Sequence, residues 1–279
     1  MEKVSILLPV YNSETTISRA IESIQNQSYG NFELFIINDG SRDNTKLIIE
    51  EICKSDKRIS LHTFIKNQGL VSALNFGLDI INSRYIFRMD ADDIMLKDRL
   101  QIQINTAKKI SCGIHSSAVI SNNKVRYSGI ESDEEIKESL TFMNPISHPT
   151  VMFDMNFLPK FSYPEHNCED YALWCSLALK KVKFHNSRIP TLQYVTSANQ
   201  KSVLEKNTIP DIASKIAGDY TLKYSFKHSK SLTKVNNLFK KSSKLSLLSL
   251  LISHIFQSKF SNYRVNKIFF IRILSGFIK

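Results

Sequence analysis

An α/β fold, with a mainly parallel sheet flanked by helices and a helical C-terminal appendage, is predicted by three observations. Short β-rich runs alternate with helix-spaced runs over residues 4–89, polar and acidic residues recur where the short runs stop, and residues 221–279 keep helical spacing while losing every acidic side chain.

Residues 4–8 are a continuous apolar run of strand length, and 14–27 repeat Ile17, Ala20, Ile21 and Ile24 at the spacing of one helix face. The second strand is expected over 32–37, a helix over 45–53 through Leu47, Ile48 and Ile52, the third strand over 59–64, a third helix over 70–81 and the fourth strand over 85–89. Parallel strands need crossover connections, so this order predicts a parallel sheet covered by helices. Ligands of such sheets bind at the carboxyl ends of the strands. Beyond residue 107 a weaker pattern predicts a strand over 113–120, an acidic helix over 132–142, a strand over 148–153, a helix over 169–181 and strands over 182–185 and 191–195. Helices dominate from 202, so a domain over 1–200 and a basic helical region over 201–279 are expected.

Charge is divided as sharply as pattern. The chain of 279 residues carries a net +11, but residues 221–279 hold ten Lys and two Arg with no Asp or Glu, and the remainder is nearly neutral. A nucleic-acid binder would surround its cleft with basic residues interleaved with aromatics, whereas the residues at the strand ends here are acidic, so no nucleic-acid partner is expected. The tail sets Lys240, Lys241 and Lys244 beside the apolar residues of 245–256, a composition suited to the interface of an anionic leaflet. A second reading packs that apolar stripe on the domain and leaves the lysines solvated. No apolar stretch reaches the roughly 20 residues that span a bilayer. Four cysteines without CxxC spacing, and an N-terminus without a cleavable leader pattern, predict a reduced, cytoplasmic protein at the inner face of the cell membrane.

The strand ends carry the chemistry. Asp90, Asp92 and Asp93 follow the fourth strand directly, and three adjacent carboxylates repel unless a cation or donors offset them. Mg²⁺ or Mn²⁺ meets that need with oxygen ligands and substrate phosphates; a turn in which Asp caps a following helix meets it too. Asp39, in Asn38-Asp39-Gly40-Ser41, could accept from a base imide or a ribose hydroxyl, or serve only its turn. Glu169 and Asp170 open a helix, where acidic groups are favoured by the dipole, or one of them faces the cleft as general base. His148, between prolines in 144–150, is either a packed core histidine or an acceptor-side group.

In order, SILLPVYN (5–12), NDGS (38–41), KNQGLVSALNFG (66–77), RMDADD (88–93), HPTVMF (148–153) and CEDYALW (168–174) resemble the family 2 glycosyltransferases of the bacterial surface-polysaccharide type, whose catalytic domain has the GT-A fold. The resemblance spans about residues 1–195. It implies a nucleotide-binding half over 1–107 and an acceptor-binding half over 108–200. It further implies that Pro9, Tyr11 and Asp39 line the nucleoside pocket, that Asn67, Gly69 and Asn75 belong to the segment beside the nucleotide, and that Asp90 binds ribose. Asp92 then holds the metal, and Asp170 is the base with Glu169 orienting it. His148, Trp174 and Lys201 are the acceptor-side candidates. Many bacterial relatives carry Arg and His after the Tyr that ends the sheet; here Tyr194 is followed by VTSANQK, which leaves Lys201 as the substitute.

The implied activity is inverting, metal-dependent transfer from a nucleotide-diphosphate sugar, foremost a UDP-sugar, to an acceptor hydroxyl of a saccharide, foremost a lipid-linked one. A sugar nucleotidyltransferase would carry a Gly-rich basic loop after the first strand, where this chain has Pro9-Val10-Tyr11-Asn12-Ser13. A non-enzymatic RNA-binding protein is the other alternative.

Overall fold

The computed structural model describes residues 2–195 and 209–228. Nine strands and seven helices occur among them: β1 (Val4–Val10), α1 (Ile17–Gln25), β2 (Phe32–Asn38), α2 (Thr45–Ser55), β3 (Ile59–Thr63), α3 (Leu70–Ile80), β4 (Tyr85–Arg88), β5 (Ile94–Met95), α4 (Arg99–Ala107), β6 (Ile114–Ser121), β7 (Lys124–Arg126), α5 (Asp133–Ser139), β8 (Met152–Asp154), α6 (Glu169–Leu179), β9 (Phe184–Gln193) and α7 (Ile209–His228). They form one sheet in the order β3-β2-β1-β4-β8-β6-β9-β5, with β7 on β6. The first four of these strands are parallel, as their crossover helices require, and β8 is antiparallel to both β4 and β6.

Strand β1 is buried along its whole length, as a strand covered on both faces must be. Its ladder with β4 ends at Leu7–Arg88, while its ladder with β2 continues to Val10–Asn38. Pro9 has no N–H to give, and it sits where one side of β1 is already open. That opening is where the chain leaves β4 into the Asp90–Asp93 turn. Two apolar layers enclose the sheet: Ile17, Ala20, Ile21 and Ile24 of α1 lie in one, and Leu74 of α3 with Trp174 of α6 in the other.

The structure departs from expectation in particular places. The strand expected over 148–153 is split: His148–Thr150 makes a 3₁₀ turn in which Thr150 N–H and Oγ1 both bond the Ser147 carbonyl, and only Met152–Asp154 joins the sheet. Pro149 has no donor for a ladder there. The two strands expected over 182–185 and 191–195 are one continuous β9, whose register against β6 shifts around Ala118 and Pro190. Helix α4 and the short strands β5 and β7 were not foreshadowed by the pattern. The buried face of α4 includes Arg99 and Gln103, which interrupts its apolar spacing.

Helix α7 packs against the domain. Ile216, Ala217 and Tyr220 join the core beside α6, and the Tyr220 hydroxyl donates to the Lys137 carbonyl. Most of the basic tail, together with Lys201, lies outside the described residues.

Candidate active site

The loops at the carboxyl ends of β1 and β2 are clasped by reciprocal hydrogen bonds. Asn12 N–H donates to Ser41 Oγ, Arg42 N–H to Asn12 Oδ1, Ser13 N–H to Thr45 Oγ1, and Asn44 N–H to Glu14 Oε2. The clasp fixes Tyr11 at the rim with 42% of its surface exposed. Asp39 is buried, and its carboxylate accepts from Asn67 Nδ2 at 2.9 Å, Gln68 N at 2.7 Å and Gly69 N at 2.8 Å. It therefore holds the loop that starts α3. Gly40, at φ +67°, permits this approach, since a Cβ there would lie 2.6 Å from the Lys66 carbonyl carbon. Pro9, Tyr11, Asp39, Asn67 and Gly69 thus share one rim. Asn75 stands apart, with both amide atoms bonded to the backbone of Tyr163.

Next to that rim is the acidic turn. Carboxylate oxygens from Asp90, Asp92 and Asp93 lie within 4.8 Å of one another, a spacing that one divalent cation could bridge. Asp90 is held from beneath by Arg88, whose two terminal nitrogens reach its two oxygens at 2.6 and 2.5 Å. Asp93 is fully buried; its Oδ1 accepts from Val195 N–H at 3.1 Å, and its Oδ2 has no partner among the described residues. Burial first, then the charges of Asp90 and Asp92, push the Asp93 carboxyl up to about 8. A cation at the cluster would supply the charge these groups lack, so the donor set fits Mn²⁺ or Mg²⁺.

Asp90 and Asp92 open into a cavity of about 900 Å³ whose far wall carries His148, Glu169 and Asp170. Ala213 and Ser214 of α7 and Tyr194 complete its rim. Asp170 keeps part of its surface in the cavity, yet burial raises its carboxyl above the usual range, opposed by the Tyr171 backbone, the Arg88 charge and Asn144. The Asn144 amide donates to Asp170 Oδ2 at 2.8 Å. Glu169, expected to orient Asp170, is buried on the same cavity wall.

His148 bonds the Tyr163 hydroxyl at 2.8 Å, and burial followed by the Arg88 charge keeps its imidazole well below the usual range, hence neutral. Trp174, expected on the acceptor side, is instead wholly buried, with its ring edge-on to His148 at 5.9 Å. It supports the cavity from the core without lining it.

The sequence alone assigns no role to Arg88 or Asn144, and none to Asp93 beyond its place in the three-carboxylate turn. Arg88 left a signal, being the one charge in the otherwise apolar run 85–89, whereas Asn144 reaches Asp170 only through the fold.

The family model described as Glycosyl transferase family 2 matches residues 5–162. A relative from Escherichia coli, UDP-Glc:alpha-D-GlcNAc-diphosphoundecaprenol beta-1,3-glucosyltransferase WfgD, is 36% identical over 176 residues, covering 62% of this chain and 69% of that protein. Among solved structures, Staphylococcus aureus TarS 1-349 in complex with UDP-GlcNAc superposes with a TM-score of 0.61 at 16% identity, over 96% of this chain and 91% of TarS 1-349. The mannosyltransferase PcManGT of Pyrobaculum calidifontis, solved with GDP-Man and Mn2+, gives 0.58 at 14% identity, over 98% and 86%. These two likenesses concern the fold, which is GT-A. From the family match over more than half its length, the chain belongs to glycosyl transferase family 2.

Proposed function

We propose that this glycosyltransferase moves a sugar from a UDP-sugar, with inversion, to a hydroxyl of a lipid-diphosphate-linked saccharide in bacterial surface-polysaccharide synthesis. The observation that carries the reading is the single cavity in which the Asp90–Asp92 edge faces Asp170. The acceptor and the polysaccharide context are supported by the relative from Escherichia coli, whose name specifies a diphosphoundecaprenol-linked sugar.

Asp92 and Asp93 would hold Mn²⁺ or Mg²⁺, and when bound the ion supplies Lewis-acid stabilisation to the departing diphosphate. Arg88 fixes Asp90 for the ribose side. Tyr11, Asp39 and the Asn67–Gly69 loop form the nucleoside rim, with Asp39 acting through the loop it anchors. Asp170 takes the proton from the acceptor hydroxyl as it attacks the anomeric carbon, and a single displacement inverts that centre. The raised carboxyl suits this role, because a base works best when its pKa approaches the operating pH. His148, neutral and tied to Tyr163, shapes the acceptor wall.

The described residues include no helix long and apolar enough to cross a membrane. We assign membrane contact to residues 229–279, whose basic and apolar composition favours an anionic interface.

Two experiments test these readings. The protein is incubated with UDP-glucose, UDP-GlcNAc and GDP-mannose, with Mn²⁺ or with EDTA, and nucleotide release is measured. Release from a UDP-sugar that EDTA abolishes is expected; no release from any donor overturns the assignment. For the tail, the full chain should co-sediment with phosphatidylglycerol vesicles and a chain ending at residue 228 should not, and equal sedimentation removes the membrane reading.

A further inference from the structure

We infer that the polar hollow behind Asn144 is the subsite for the acceptor's first sugar ring, and that Arg126 binds the diphosphate joining that ring to its carrier. The inference rests on the proposed transfer to a diphosphate-linked saccharide and names the residue that would recognise it.

The charges around the main cavity pose the problem. Asp90, Asp92, Glu169 and Asp170 all line it, and a diphosphate-bearing acceptor entering such a space needs a cation of its own. Arg88 is committed to Asp90 through both terminal nitrogens. Arg126 is the other guanidinium on the described wall, and it is exposed, with no ion pair or side-chain hydrogen bond among the described residues.

Its position is fixed by the sheet. Strand β7 follows β6 through a two-residue turn at Asn122 and Asn123, whose φ values of 51° and 58° are the paired positive angles of a type I′ hairpin. That turn sets Arg126 opposite Val119, and cross-strand partners share a face. Val119 lines the main cavity, so the same face carries Arg126 to it.

A second hollow of about 270 Å³ opens beside the first, and Arg126, Asn144 and Ser147 line both. At about 30 Å³ per water, it has room for about nine waters, the scale of one sugar ring. Its remaining wall sets Ser117, Tyr127, Ser128 and Asn186 beside the apolar Pro145 and Ile146, with no carboxylate. Asn144 also donates to Asp170, so this hollow begins one side chain away from the proposed base. When the attacking sugar itself carries the diphosphate, the base and the phosphate binder must both reach the same ring. Arg126 lines the hollow and Asp170 meets it through Asn144, and Arg is the side chain whose planar donor fork best matches phosphate oxygens.

The test uses the full chain, the UDP-sugar identified by nucleotide release, and two acceptors: an alkyl diphosphate ester of α-N-acetylglucosamine and the matched alkyl glycoside lacking the diphosphate. Wild type should prefer the diphosphate acceptor. In Arg126→Ala that preference, read as the ratio of kcat/KM values, should fall about 10- to 100-fold, mainly through acceptor KM, with partial recovery in Arg126→Lys. Equal losses on both acceptors overturn the inference, as does a wild type that releases nucleotide yet shows no preference. A matching rise in donor KM would assign Arg126 to the donor's diphosphate and overturn it as well. Absence of nucleotide release from wild type is the separate failure of the underlying function.

Discussion

The side-chain amide of Asn144 donates to Asp170 Oδ2 at 2.8 Å while its own oxygen accepts from the Ile146 backbone N–H at 3.1 Å. The second bond fixes which end of the amide faces Asp170, so Asn144 stabilises the charged carboxylate. Asn144→Ala removes that donor. Transfer at neutral pH should fall about tenfold, and the acid limb of the kcat profile should move to higher pH. An unmoved limb would show that the contact plays no part in tuning the base.

Asp170→Asn should keep donor binding, measured by titration with UDP and Mn²⁺, and reduce transfer by about 10²- to 10⁴-fold. Burial raises the Asp170 carboxyl. Wild-type transfer should therefore decline with falling pH before ordinary exposed carboxylates protonate. Near-normal turnover in the variant would remove Asp170 from the mechanism.

Arg88 lies buried beneath the cavity with both terminal nitrogens on Asp90. Arg88→Met leaves that partly exposed carboxylate without its partner, and losing hydrogen bonds to a charged group costs about 1.5 to 3 kcal/mol. Arg88→Lys should recover part of the stability but little of the activity, because an ammonium cannot make the two-point contact. Thermal unfolding and transfer rates of the two variants check this, and equal rescue of both properties would contradict it.

Much of the nucleotide-side architecture was legible because each device there is local. The apolar runs at 4–8 and 32–37 announced central strands, and the Asp90–Asp93 turn followed its strand directly. Gly40 likewise sits beside the Asp39 it serves. The acceptor side was harder to read, since its relationships join distant segments. Trp174 is an acceptor-side candidate in the sequence, but helix α6 turns it into the core behind His148. Asn75 shares a segment with Asn67, yet the fold ties it to Tyr163. Pro149 lies inside the strand expected over 148–153, and Pro190 lies between the two expected over 182–185 and 191–195 yet inside the observed β9, so the two prolines mark where the strand boundaries differ from expectation.

Asp93 supplies a test of the acidic turn that needs no substrate. Its carboxyl stands at about 8 in the folded protein, against about 3.9 for an ordinary Asp in an unfolded chain. The folded state thus binds the extra proton between those values, and the stability this confers is present below the lower value and lost as pH rises through the upper one. Asp93→Asn keeps an acceptor for Val195 N–H and removes the charge. With EDTA present, the variant should unfold at a higher temperature than wild type at about pH 9, and the gap should shrink at about pH 4, where wild-type Asp93 is protonated in the folded state and about half protonated in the unfolded one. Adding Mn²⁺ at the higher pH should narrow the gap by stabilising wild type more than the variant, because a cation binding the turn favours ionised Asp93. A gap that ignores both pH and Mn²⁺ would mean that Asp93 bears no uncompensated charge, and the case for a cation at this turn would lose its electrostatic support.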